Sequence, residues 1–238
     1  MSNMVQGDFG TSYRSRQSVM DHIAPAFGAT LQFTGAALML MVVIGIPAGI
    51  LSATRPNSWL DRIVMSTVLI GLSAPIFWVG IVLMYVFAFR LGWLPSGGFF
   101  TWQGIILPAV TLALQYGAIV ARITRTSMLE VLGNDYIRTA RAKGISQGAI
   151  FYTHALRNAS LPIVTTIGLQ VGSMLGGTIL IETVFSWPGL GRMLVSAILE
   201  RDAPIVQAGV MLIAVAVLVL NLLTDLVYGF LDPRVRFG

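Results

Sequence analysis

Few residues in this chain could do chemistry, and their spacing rules most of it out. The one lysine, Lys143, lies between Ala142 and Gly144 rather than in the Gly-Lys-Ser/Thr of a phosphate-binding loop, so ATP hydrolysis has no seat here. There is no His-Glu-x-x-His for a zinc hydrolase. Without cysteine there is no thiolate ligand, Cys nucleophile or disulfide. The two histidines, His22 and His154, fall on opposite sides of the membrane topology derived below, which excludes a paired metal site. Neither a cofactor nor an enzymatic activity is expected.

The remaining polar groups suit a pathway or a helix contact better than a reaction. Gln115, Gln170, Ser173 and Asn221 sit within apolar runs, where such groups hydrogen-bond across helices or, less often, line a route. Glu182 stands at the end of a span, just before Pro-Gly-Leu-Gly; it is either a solvated loop carboxylate or part of a translocation path with Gln115, Gln170 and Ser173. Asp225, near the end of the last span, is expected to form a structural ion pair with an arginine of another helix. Trp78, Trp93, Trp102 and Trp187 lie near span ends, where an interfacial aromatic belt places them.

What positions these groups is a set of membrane helices. The chain has 238 residues, 55% hydrophobic and 11% charged, with a mean hydropathy of +0.80; soluble domains carry about 25% charge. Its long uncharged runs predict five spans at about 30–53, 63–89, 105–124, 160–181 and 205–227. With no water in the bilayer core these must be helices, and the short alternating segments of a β-barrel are absent. Gly45 and Gly49, four apart, allow close helix approach and Pro47 between them frees backbone groups that neighbours must satisfy, while Gly71 and Pro75 predict a kink. The third helix is expected to run on to Leu132, with Gly133 as its stop. Gly168, Gly172 and Gly176, at i, i+4 and i+8, predict a close helix crossing.

Because loops alternate sides, ten of the fifteen Lys and Arg residues fall on the side holding Arg122–Arg157 and the C-terminus. That side should be cytosolic. The net charge of +5 and pI near 10.1 follow from this asymmetry and give no reason to invoke nucleic acid. The N-terminal segment, residues 1–27, then lies outside, with no apolar leader ahead of its charges. An upstream spanning helix is therefore expected, within about 60 to 70 further residues.

One stretch breaks the apolar rhythm: Asn134–Pro162, basic and helix-forming, interrupted at Gly144. Asn134 can cap a helix and Asp135 complements its positive end. Arg141 and Lys143 suit the last turn and Gly144 the C′ position, so a short helix is predicted over Asp135–Lys143. Ser146 can cap a second helix through Phe151 and Tyr152 that re-enters the bilayer near Leu161-Pro162. Periodicity alone leaves two readings open, a headgroup anchor and a docking element.

Tyr136-Ile-Arg-Thr-Ala-Arg-Ala-Lys-Gly144 resembles the EAA loop of ABC importer permeases, in the form found in the dipeptide/oligopeptide/nickel family. Arg138, Thr139 and Ala140 take the Glu-Ala-Ala places and Gly144 keeps its own; His154-Ala-Leu-Arg157 stands where the general pattern has Ile-x-Leu-Pro. Glu182-Thr-Val-Phe-Ser-Trp-Pro-Gly-Leu-Gly-Arg192 with Glu200-Arg-Asp-Ala-Pro204 resembles the family's periplasmic loop, although Ala203 replaces a residue that is usually aromatic. Asn221-Leu-Leu-Thr-Asp225 through Asp232-Pro-Arg234 resembles its ending.

The resemblance implies an all-α polytopic membrane protein with the type I ABC importer permease fold, five spans here where the family has six. The transmembrane domain would cover 28–228, with a cytosolic coupling loop at 126–157 and a cytosolic tail at 229–238, in a bacterial or archaeal plasma membrane. The ATPase-coupling residues would be Asp135, Tyr136, Arg138, Thr139, Ala140, Arg141, Ala142, Lys143 and Gly144, with small Ala140 and Ala142 allowing close docking. The implied partners are a second related permease, two ATP-binding subunits, an external solute-binding protein and the lipid bilayer. An intramembrane enzyme and a self-contained channel or carrier are the competing classes. The first lacks any catalytic constellation; a channel would not need a capped docking helix and a carrier is expected to show repeats, but physics alone excludes neither, and the resemblance decides between them.

Overall fold

The structure, a computed structural model, describes residues 9–98 and 101–231. The expected tail at 229–238 and the first eight residues of the external segment fall largely or wholly outside that range. The chain forms α1 (Val19–Thr54), α2 (Trp59–Ser73), α3 (Ile76–Leu83, continued as a π-helix over Met84–Arg90), α4 (Ile106–Leu132), α5 (Asp135–Ala142), α6 (Leu156–Val184), α7 (Leu190–Leu199) and α8 (Ala203–Leu231). Apart from an isolated Thr11–Ser18 bridge, regular structure among the described residues is helical. Four helical stretches, Val19–Thr54, Trp102–Leu132, Gln147–Val184 and Ala203–Val227, are long and apolar enough to cross a membrane. The pair α2 and α3 makes a fifth if it counts as one span.

The boundaries depart from the expected ones for identifiable reasons. The first helix begins at Val19 rather than near Thr30, because Val19, Ile23 and Ala26 form a buried stripe despite the charge at Asp21. The expected single helix over 63–89 is two. Ala74, held extended (ψ 135°) by the following proline, ends α2, and Pro75 starts α3. Pro162 lies inside α6 rather than at its entrance, since a π-helical turn over Ile150–Ala155 feeds directly into that helix. Helix α7 falls where only a loop is expected.

Two compact units emerge from the contacts. One comprises Met1–Leu38, Pro75–Leu112 and Gly172–Leu220, and the other Met39–Ala74, Ala113–Val171 and Asn221–Gly238. In the first, Val19, Ile23, Leu190, Ala197, Ile205 and Ala208 bury one another. In the second, α1 and α4 approach so closely that a Cβ on Gly45 would lie 2.9 Å from the Gly117 carbonyl oxygen, and one on Gly49 2.6 Å from that of Ala121. Small residues four apart permit this backbone contact.

Among the described residues, the expected glycine crossing on α6 is covered at Gly168 but not at Gly176. Gly168 abuts the Thr224 side chain, whereas a Cβ on Gly176 would meet nothing within 4 Å. A stripe at helical spacing fixes a face, but not what covers it.

Candidate functional site

Helix α5 is an amphipathic unit of about two turns. Ile137 is fully buried and Ala140 nearly so, packed with Ile150 and flanked by Leu132 and Ile145. Asp135, Tyr136, Arg138, Thr139, Arg141, Ala142 and Lys143 face outward. Ala140 therefore belongs to the anchoring side, and of the two small residues only Ala142 could permit close docking. Asn134 occupies the N-cap with extended backbone (ψ 149°), but its side chain makes no capping hydrogen bond. Asp135 instead pairs with Arg138 at 3.6 Å, in solvent.

The C-terminal end is closed entirely by backbone. Gly144 takes φ +76°, its N–H donates to the Arg141 carbonyl at 3.0 Å, and the Ile145 N–H donates to that of Ala140 at 3.2 Å. This is the Schellman arrangement, with its apolar contact between Ile145 and Ala140. Nothing lies within 4 Å of where a Cβ on Gly144 would be, so glycine is required there by conformation and not by space.

Entry and exit are fixed as well. The Gly133 N–H donates to the Leu129 and Glu130 carbonyls at 3.2 Å, ending α4. Beyond α5, Ser146 Oγ accepts from the Ala149 N–H at 3.4 Å. Asn158 Nδ2 donates to the Tyr136 hydroxyl at 2.9 Å, tying α5 to α6. The cationic side chains of Arg138, Arg141 and Lys143 thus stand on a short helix held at both ends and from beneath.

Glu182 lies elsewhere, at the end of α6. It is fully buried, not a solvated loop carboxylate. The Leu190 N–H donates to Thr30 Oγ1 (2.8 Å), whose hydroxyl donates to Glu182 Oε1 (2.6 Å). The Arg192 N–H donates to Oε2 (3.0 Å). A carboxylate accepting from the first turn of α7 satisfies groups that have no partner within the helix and complements its dipole. Trp187, expected in an interfacial belt, is 2% exposed; its Nε1–H donates to the Ala29 carbonyl at 3.0 Å.

The other path candidates lie on α4 and α6. Gln115 on α4 is half-buried, with Oε1 unpartnered among the described residues. Gln170 is half-buried and Ser173 exposed, both on α6. Asp225 is exposed and makes no ion pair among the described residues, contrary to expectation.

An ion pair between buried Asp61 and half-buried Arg125 is formed by residues that no sequence motif singles out. Asp61 is 3% exposed and receives both Nε and Nη2 of Arg125 at 2.8 Å. It also accepts from the Ser52 hydroxyl and, at 2.8 Å, from the Asn57 N–H. A second such carboxylate, Asp202, is nearly fully buried and accepts from the Ser12 hydroxyl and the Tyr13 N–H (3.3 Å).

Residues 45–237 match the family described as binding-protein-dependent transport system inner membrane component. The chain belongs to that family. It is 43% identical to the dipeptide transport system permease protein DppB of Alkalihalophilus pseudofirmus, over all of this chain and 80% of the relative. It is 46% identical to the glutathione transport system permease protein GsiC of Escherichia coli K12, over all of this chain and 78% of the relative. Among solved structures, the MetNI methionine ABC transporter in an inward-facing conformation aligns with a TM-score of 0.77 at 21% identity, covering 90% of this chain and 97% of that one. An amino acid ABC transporter solved with histidines aligns at 0.69 and 17% identity, covering 86% and 92%. The fold is that of a type I ABC importer permease. This permease is therefore a membrane transport component.

Proposed function

We propose that this permease forms half of the translocation path of an ATP-driven importer for di- or oligopeptides, or for a related solute such as glutathione or a nickel chelate. It works with a second related permease, two ATP-binding subunits and an external solute-binding protein. Its C-terminus is cytosolic and the segment before α1 is external. Helix α5, through Asp135–Gly144, docks on an ATP-binding subunit, with Ala140 serving as anchor rather than contact.

The observation that carries this reading is the construction of α5. Its apolar side is fully used by Ile137 and Ala140, both ends are tied, and it still exposes three cations on one short rigid element. A headgroup anchor needs an apolar face free to enter lipid, and α5 has already buried its own. Exposed cations on a rigid element instead suit an acidic protein cleft, where charge complementarity sets orientation and encounter rate.

The test is co-purification of the ATP-binding subunits with the permease from membranes, comparing the unsubstituted chain with Arg141→Glu. Loss of the ATP-binding subunits with normal permease accumulation is expected; undiminished co-purification would refute docking through α5. Uptake of radiolabelled dipeptide and of glutathione by the assembled complex then separates the solute classes.

A further inference from the structure

We infer that Asp61 and Arg125 form a positioning pair that makes α1, the start of α2 and the cytosolic-loop end of α4 move as one body with α5. The inference rests on the docking reading of α5 and adds the element that would pass its motion on. Arg125 lies seven residues, about two helical turns, before Leu132, where α4 ends and the loop to α5 begins. Its guanidinium meets both oxygens of Asp61, a fork-on-fork geometry that fixes orientation as well as distance.

Asp61 collects three elements at one carboxylate. Ser52 donates from the last turn of α1, Asn57 donates its N–H from the connecting turn, where it holds φ +62°, and Arg125 donates from α4. The Asp61 N–H itself donates to Ser58 Oγ at 3.2 Å, capping α2. One turn beyond Arg125, Met128 is fully buried against Ala53 of α1 and against Ala155, Ala159 and Ile163 on the return from α5. Gly45 and Gly49, with no side chain of their own, let the Val120 and Thr124 side chains and the Gly117 and Ala121 carbonyls of α4 close onto α1.

The physical argument concerns rigidity. Apolar packing between helices tolerates small shear movements, which side-chain adjustment absorbs. A bidentate ion pair on a buried carboxylate resists sliding, since an Å-scale slip takes the half-buried Arg125 guanidinium off both oxygens of Asp61. The pair therefore fixes the start of α2 on α4, the Ser52 hydrogen bond adds the end of α1, and Met128 extends that register to the helix returning from α5.

The test uses the whole complex, with both permeases and both ATP-binding subunits in nanodiscs. The chain has no cysteine of its own, so Trp59→Cys and Tyr152→Cys, at exposed positions, can carry a spin-label pair in partners cleared of cysteine. In the otherwise unsubstituted chain the label distance should stay constant, within about 1 Å, between the nucleotide-free state and the state trapped with ATP, magnesium and vanadate. In Asp61→Asn the distance should shift by several Å between those states, or its distribution should at least double in width. Arg125→Lys keeps the charge but loses the fork; it carries the test, with the same expected sign, if Asp61→Asn fails to accumulate.

A simple loss of stability would lower the melting temperature without making the label distance depend on nucleotide. A constant distance in assembled Asp61→Asn or Arg125→Lys complexes would overturn the inference. So would a distance that already changes in the unsubstituted complex, and either result would leave the docking reading standing. Failure of ATP-binding subunits to co-purify with the unsubstituted chain would overturn the docking reading, and this inference with it.

Discussion

Helices α5 and α7 are both short and both connect spans, yet they are held in opposite ways. Helix α5 is secured by neighbours in sequence: the Gly144 turn, Ser146 and an apolar patch drawn from Leu132 to Ile150. Helix α7 is secured mostly from α1, about 160 residues earlier, and by Glu182 of the preceding helix. Thr30 and Glu182 take its first N–H groups, and Val19 and Ile23 pack on its buried Leu190 and Ala197. A locally held helix keeps its shape when a partner pushes on it and can move as a unit. A helix held by distant contacts is built into the fold and cannot move without breaking it.

The largest expected effect is at Glu182. A Cβ on Gly189 would collide with the Glu182 carboxyl, and one on Gly191 would lie 2.7 Å from the Ile179 Cα. Gly189→Val should therefore abolish accumulation of the permease in membranes. Glu182→Ala leaves Thr30 Oγ1 and the Arg192 N–H without their acceptor and should cost about 2–4 kcal/mol. Glu182→Gln, which keeps a carbonyl acceptor, should cost less. Melting of the detergent-purified subunit checks the order; equal melting of the Glu182→Ala variant and the unsubstituted chain would mean that α7 does not depend on the carboxylate.

The same contrast explains what could be read from sequence. Helix α5 was legible because its signals, Asn134, Asp135, Gly144 and Ser146, lie within a dozen residues of one another. Even there, the inward side of Ala140 depended on Ile150, on the far side of the turn. Helix α7 was not legible: Gly189 and Gly191 read as loop formers, and the partners that stabilise it are Thr30 and Glu182. The Asp61–Arg125 pair was hidden in the same way, since sixty-four residues separate its members and each reads as an ordinary charge at a span end. Apolar runs revealed the spans but not the break at Ala74-Pro75, because one proline supports a kink as well as a break.

Gly144→Val should have the next largest effect on the α5 side of the comparison. At φ +76° a β-branched residue costs about 1–2 kcal/mol, and no clash adds to it because the space is open. Insertion should survive while ATP-driven uptake by the assembled complex is lost. Gly144→Asn, which tolerates this backbone region, should retain most uptake. If Val and Asn behave alike, the left-handed turn is not what holds α5.

The first of the two units offers a pH test. Burial alone would raise the Asp202 carboxyl; hydrogen bonds from the Ser12 hydroxyl and the N–H groups of Tyr13, Arg14 and Ile205 outweigh it and hold the group below its ordinary value of 3.8. A depressed folded-state value means that the unfolded chain binds more protons as pH falls below that ordinary value. The stabilising contribution is thus complete at neutral pH and is lost as acidification passes through the folded value. Protease cleavage after Arg14 or Arg16, exposed on the segment that Asp202 holds, should stay constant from neutral pH down to about 4 and rise below it. Asp202→Asn should raise cleavage at neutral pH and remove the acid-dependent step.

The smallest expected effect is at Asp135, and it sharpens the comparison because stability and function should separate there. Asp135 and Arg138 are almost wholly exposed, and their 3.6 Å contact is an i,i+3 pair in solvent. Such pairs contribute about 0–0.5 kcal/mol and are screened by salt. Asp135→Ala should leave the melting temperature of the purified subunit within error. Removing the carboxylate also frees Arg138 to meet an acidic partner, so retention of the ATP-binding subunits should hold or improve at low salt and converge with that of the unsubstituted chain as salt rises. Weaker retention at every salt concentration would show that Asp135 itself touches the partner, and the docking face would then be mixed in charge rather than basic.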